Sequence, residues 1–171
     1  MSKRDLKKYV ADLSKAQLEE QIIDLYEKFK EVNTYFNFVF KPNENNLIKD
    51  AKLKISNEYF PIRGKRPKMR RSVAQKFIKH FITLGVDPFL IADVMLYAIE
   101  IAQIYTAEKY SSTDVFYKSM LTSYQQTVSY LIKEAILNDF KSRVVAINNV
   151  VINQNWPNAY EFNAILERFE Y

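Results

Sequence analysis

The chain of 171 residues contains no cysteine, two glycines, five prolines and one histidine. Without cysteine there is no disulfide, no thiol nucleophile and no thiolate-held zinc or iron–sulfur centre. A lone histidine, His80, excludes the HExxH motif and every metal site built from several imidazoles. Gly64 and Gly85 stand far apart, so neither a Walker phosphate loop nor the Gly-rich turn of a dinucleotide fold can be assembled. There is no unbroken apolar run of about 18 residues, and no membrane span is expected. The opening MSKRDLKKYV is basic, but neither an apolar stretch nor a small-residue cleavage site follows it, so it does not read as a secretory signal. A cytoplasmic protein is the expectation, and no cofactor is expected.

What the chain has is apolar side chain: 48% of residues are hydrophobic and 15% aromatic. That suffices for a core and fits one domain over residues 1–171. The net charge of +5 is concentrated. Six of the 25 cations lie in Arg63–Arg71, which reads RGKRPKMRR and holds no acid; the remaining 19 face 20 acids. Such local charge concerns partners and solubility rather than fold.

Helix signals dominate. Ser2 can cap a short helix bearing Leu6, Tyr9, Val10 and Leu13, and Ser14 with Gln17 has capping-box spacing. Leu18, Ile22, Leu25, Phe29, Val32, Phe36 and Val39 alternate in steps of four and three, which predicts one long helix over 15–40 with a heptad seam. Tyr26 and Tyr35 flank that seam and widen it into a core face, although a homodimer through the Leu18–Val39 helix is the competing reading. After Pro42 and the Asn-rich break, a helix over about 46–59 carries Ile48, Ala51, Ile55 and Tyr59. A loop at about 60–71 follows, marked by Pro61, Gly64 and Pro67. Ser72 is the expected cap of a helix bearing Val73, Phe77, Phe81 and Leu84, ended by Gly85. Asp87-Pro88 opens the next helix. Another is expected over about 114–137, with Met120, Tyr124, Val128, Leu131 and Ala135 on its face. Helix resumes over 140–153, with Phe140, Val144, Ile147 and Val151. Trp156-Pro157 breaks it before a short last helix with Phe162, Ile165, Leu166 and Phe169. No strand alternation is found. The expectation is an all-α, single-domain helical bundle of seven or eight helices, with stacked hairpins as the alternative topology.

Three groups of residues invite a functional reading. Arg63, Lys65, Arg66, Lys68, Arg70 and Arg71 could contact phosphates, with salt-sensitive binding, and the last two adjoin a helix start whose free N–H groups favour anions. The bland alternative is a solvated loop, or cations paired with acids elsewhere. Asp93, Glu100 and Gln103 fall within roughly 80° on an otherwise apolar helix. Two carboxylates on one face suit acid–base work or a cation; ion pairs to Lys76, Lys79 or the basic loop are the simpler account. His80 lies at the edge of its helix's apolar stripe with no serine or acid at motif spacing, so no triad can be argued. No catalytic or metal-ligating residue is assigned.

The first thirty residues resemble the small helix–turn–helix DNA-binding modules of the SAP type. They lack the glycine that usually ends the second helix, and seven cations balance seven acids through Glu31. Across nearly the full length, SKRDLKKYV, QLEEQIIDLYEKFKEVNTYFNFVF and RRSVAQKFIKHFITLGVDPFLIADVMLYAIEIAQ resemble an uncharacterised bacterial family of the domain-of-unknown-function type, found mainly in Bacteroidota. The resemblance implies a small, stand-alone, helical cytoplasmic protein and transfers no functional residue. The reading that emerges is a non-enzymatic binding protein whose basic loop meets an anionic partner, a nucleic acid or an acidic protein. A protein–protein adaptor or homodimeric scaffold is one alternative, and an enzyme using Asp93 and Glu100 is another.

Overall fold

The computed structural model describes residues 2–62, 66–108 and 113–168. Among them there are nine helices and no strand, so the all-α expectation holds while the expected count of seven or eight is too low. The chain divides into two compact units, Met1–Asn43 and Glu44–Tyr171. The division falls at the Pro42 break and not at the loop over 60–71.

The first unit holds α1 (Lys3–Ala11), α2 (Lys15–Lys28) and α3 (Lys30–Phe40). Ser2 with Asp5 and Ser14 with Gln17 both form capping boxes, each side chain satisfying the other residue's free N–H. The expected single helix over 15–40 is two helices. Phe29 is extended (φ −117°, ψ 114°), ending α2 and starting α3. Bending lets the Tyr26 hydroxyl donate to Asn37 Oδ1 at 3.1 Å and brings its ring edge-on to Phe36. On a straight helix those eleven residues would span roughly 16 Å. β-Branched and aromatic residues just past the break hold a continuous helix less firmly. None of the described residues of this unit is buried.

The second unit is built around α6 (Pro88–Glu108), which packs against α4 (Glu44–Tyr59), α5 (Arg71–Leu84), α7 (Asp114–Lys133) and α8 (Leu137–Asn153). The last helix, α9 (Ala159–Glu167), lies on α7 and α8. α6 is long and apolar enough to cross a membrane by length and composition, but most of its surface is covered by the surrounding helices. Asp87 begins it, its carboxylate accepting from the Phe89 N–H at 2.7 Å. The buried face of α4 is Ile48, Ala51, Ile55 and Tyr59, the four expected residues.

α5 departs from expectation in two ways. It starts two residues early, with Arg70 rather than Ser72 at the cap position and no side-chain cap bond. Its buried face is Ala74, Ile78, Phe81 and Leu84, leaving Val73 and Phe77 at the rim. The expected helix over 114–137 stops at Lys133, because Ala135 is left-handed (φ 60°). α5, α7 and α8 all end the same way. A left-handed residue (Gly85, Ala135, Asn155) precedes a buried apolar one (Val86, Ile136, Trp156). The apolar residue's N–H bonds back to Phe81, Leu131 or Val151, at 3.1, 2.9 and 3.1 Å. This is the Schellman ending.

Candidate functional site

The polar face of α6 closes into an ion-pair network. Arg143 of α8 forks onto Glu100, with Nε to Oε1 at 2.9 Å and Nη2 to Oε2 at 2.8 Å. Its remaining Nη1 reaches Asp93 Oδ1 at 2.9 Å. Lys52 of α4 takes Asp93 Oδ2 at 2.6 Å and also lies over the Tyr97 ring. Each of the four carboxylate oxygens therefore has a cation. The expected ion pairs exist, but the partners are Lys52 and Arg143 rather than Lys76, Lys79 or the basic loop. The four side chains are about one-third exposed or less, so the pairs gain from partial desolvation without its full penalty. Burial alone would raise the Asp93 carboxyl; hydrogen bonds from Lys52 and Arg143 outweigh it and hold the group below its ordinary value. A carboxylate so held is a poor proton acceptor. Among the described residues no group of three or more His, Cys, Asp or Glu is placed to hold a metal ion.

Gln103, the third member of the expected face, is not with the acids. It is 4% exposed, and its amide donates to the Ile147 carbonyl at 2.8 Å, tying α6 to α8. Gln154 donates in turn to the Gln103 carbonyl at 3.0 Å and accepts from Thr106 and Trp156 at 2.8 Å each. An open groove of about 310 Å³ beside Glu100, Gln103, Ile104, Ile147 and Val150 is mostly apolar-walled, the Gln103 and Gln154 amides donating into the main chain.

The basic segment divides into anchors and free ends. Arg63 and Lys65 lie outside the described residues. Arg66 and Lys68 are exposed and make no ion pair among the described residues. Arg70 instead forks onto Glu58 of α4, Nε to Oε2 at 2.9 Å and Nη2 to Oε1 at 2.7 Å, holding the Glu58 carboxyl below its ordinary value. The Glu58 carbonyl also accepts from the Lys68 and Met69 N–H groups at 2.9 and 3.0 Å. Arg71 is half-buried and bridges α5 to α7, donating to Ser123 Oγ at 2.7 Å and Gln126 Oε1 at 2.6 Å. Burial pulls its guanidinium below the ordinary value. These ties explain why α5 starts at Arg71: Arg70 and Arg71 are pinned on either side of its first turn. His80 is exposed beside the Phe81 ring.

Sequence reasoning missed Lys52, Glu58 and Arg143. Each adjoins a buried apolar position (Ala51, Tyr59, Val144), at the rim where a long polar side chain can reach a neighbouring helix. That rim position was the only available signal, and many surface residues share it.

No curated protein and no solved structure matches the chain. A family model described as a family of unknown function (DUF6155) matches residues 1–170. The chain belongs to that family, in agreement with the resemblance to an uncharacterised family drawn from its sequence.

Proposed function

We propose that the protein is a non-enzymatic cytoplasmic binding protein, working as one domain over residues 1–171, that engages an anionic partner through Arg63, Lys65, Arg66 and Lys68. Nucleic acid is the foremost candidate and an acidic protein surface the other. The observation that carries the reading is the division of the segment: Arg70 and Arg71 are spent within the fold, while Arg66 and Lys68 stand exposed and unpaired among the described residues. Arg66 and Lys68 make no ion pair among the described residues, Lys68 only helping by its charge to hold the Glu58 carboxyl down, and exposed cations of this kind are available for phosphate oxygens.

The test is fluorescence anisotropy with labelled single- and double-stranded DNA and RNA. Four phosphate contacts predict duplex affinity falling on the order of 10²-fold between about 50 and 200 mM salt. Changing Arg63, Lys65, Arg66 and Lys68 together to Ser abolishes binding and leaves the melting temperature unchanged. Arg70→Ser lowers the melting temperature instead. No binding at low salt, or full binding by the four-site variant, overturns the reading.

A second reading, a protein-interaction surface on the first unit, is favoured by a separate observation. Residues 2–43 bury no described side chain, yet Leu6, Ile22, Ile23, Leu25, Phe29 and Phe40 are all more than two-fifths exposed. Large apolar side chains exposed in this number on one small unit favour a surface that a partner covers.

A further inference from the structure

α5 and α7 both pack on α6, and an open groove of about 470 Å³ lies between them. Its floor is apolar: Ile78 and Met95 are buried, and Ile82 stands half exposed at the edge. Its rim offers donors. Arg71, Gln75 and Lys79 follow one another in steps of four, so with Ile78 and Ile82 they share a sector of roughly 100° on α5. Gln126 and Tyr130 of α7 line the other side. Gln126 Oε1 is taken by Arg71, and its amide nitrogen has no partner among the described residues. Gln75, Ile78 and Met95 also wall a small void that Arg71 bounds, so Arg71 stands at the groove's end.

The charge along this groove is unbalanced. The acceptors of Arg71, Ser123 Oγ and Gln126 Oε1, are both neutral. Lys79 makes no ion pair among the described residues, and no acid lines the groove or the void. Arg70 and Arg143, by contrast, each fork onto a glutamate. A half-buried guanidinium without a carboxylate is costly unless an anion completes it. Negative charge stands at the far end instead. There the Tyr130 hydroxyl is pushed up to about 12 by burial, then by Glu134 and Asp87.

We propose that the α5–α7 groove binds an organic anion with an aliphatic body, its carboxylate or phosphate group between Arg71 and Lys79 and its body over Ile78, Met95 and Ile82. The inference is independent of the basic loop and of the first unit. An apolar floor with a few convergent polar groups is the usual make-up of a small-molecule site. Each half of the ligand answers one half of the groove. An inorganic anion would leave the floor open to water, and a neutral lipid would leave Arg71 and Lys79 unmatched. The charges also set the direction. The anionic group lies at the Arg71 end, and the body runs toward Tyr130, where Glu134 and Asp87 would repel a negative group.

The probes are decanoate, decyl phosphate, decanol and acetate, titrated into the isotope-labelled full chain and followed by amide chemical shifts. Decanoate or decyl phosphate is expected to shift residues over 75–83 and 126–130, and the tighter of the two names the head group. Decanol and acetate each lack one half of the chemistry and bind about tenfold more weakly or worse. Lys79→Gln weakens the anion about tenfold and leaves decanol unchanged. Ile82→Gln weakens both. Lys76→Gln, on the same helix outside the groove, changes neither. Lys79 and Ile82 are exposed, so these variants keep the fold, and their unliganded melting temperatures check it. The anion raises the melting temperature of the wild type, and that of Lys79→Gln less. Equal binding of decanoate, decyl phosphate and decanol overturns the inference, as does undiminished binding by Lys79→Gln. Shifts confined to residues 2–43 place the ligand on the first unit and overturn it. Loss of binding in the variant with Arg63, Lys65, Arg66 and Lys68 changed to Ser gives the anion to the basic loop and overturns it too, while leaving the proposed function standing.

Discussion

α3 and α6 are both poor in charge through their middle turns, and the fold treats them in opposite ways. α6 is enclosed by α4, α5, α7 and α8, and its acids Asp93 and Glu100 are matched by Lys52 and Arg143 from two of those helices. In the first unit, α3 meets α2 at the Phe29 bend and leaves Val39 and Phe40 open. Composition makes both helices candidates for burial. What separates them is whether the chain supplies enough neighbours, and a three-helix unit of 43 residues does not.

The largest difference to expect is in packing. Leu96, at the centre of α6, is fully buried, so Leu96→Ala removes its transfer energy and leaves a cavity, costing about 3 kcal/mol. Val39→Ala on α3 leaves an already half-exposed position and costs within about 0.5 kcal/mol in dilute solution. Urea denaturation of the two variants at low protein concentration makes the comparison. Equal losses would mean that α3 is as well packed as α6.

The next difference lies in the polar strip of α6. Arg143→Gln leaves Glu100 without its forked partner and Asp93 with only Lys52, an expected loss of about 2 kcal/mol. Replacing Arg143 and Glu100 together by Met is expected to recover most of it, since two apolar groups in contact need no counter-charge. The double-mutant cycle reads the coupling directly. If Arg143→Gln is neutral, the network is solvated and α6 is held by apolar packing alone.

Much of this was legible before the structure. Ser2, Ser14, Asp87-Pro88 and Gly85 are local signals, and each marks the helix boundary its chemistry requires. The α4 face was readable because Ile48, Ala51, Ile55 and Tyr59 keep helical spacing with nothing competing. Features set by tertiary contact were hidden. Ala135 looks like a helix residue, and only Ile136, buried and bonded back to Leu131, forces it left-handed. The shift on α5 from Val73 and Phe77 to Ala74 and Ile78 follows from the pinning of Arg70 and Arg71, whose partners lie twelve and more than fifty residues away. The same holds for function. The basic segment was visible as composition, but which of its cations are free depends on Glu58, Ser123 and Gln126, which no spacing connects to it.

The smallest effect separates the two helices by pH. Asp93 carries a folded value below its ordinary 3.8, so its pairing stabilises the fold fully above that value and is lost as pH falls through the lower, folded one. Glu58, held down mainly by its hydrogen bonds from Arg70, acts in the same direction just below its ordinary 4.5. α3 has one acid, Glu31, exposed and without an ion pair among the described residues. Stability measured from neutral pH into the acid range is therefore expected to fall more steeply in the wild type than in Lys52→Gln/Arg143→Gln, where burial is left to raise the Asp93 carboxyl. Parallel acid profiles for the wild type and the double variant would show that the cations around α6 do not discriminate between the charged and the neutral carboxyl. The contrast between the two helices would then rest on apolar cover alone.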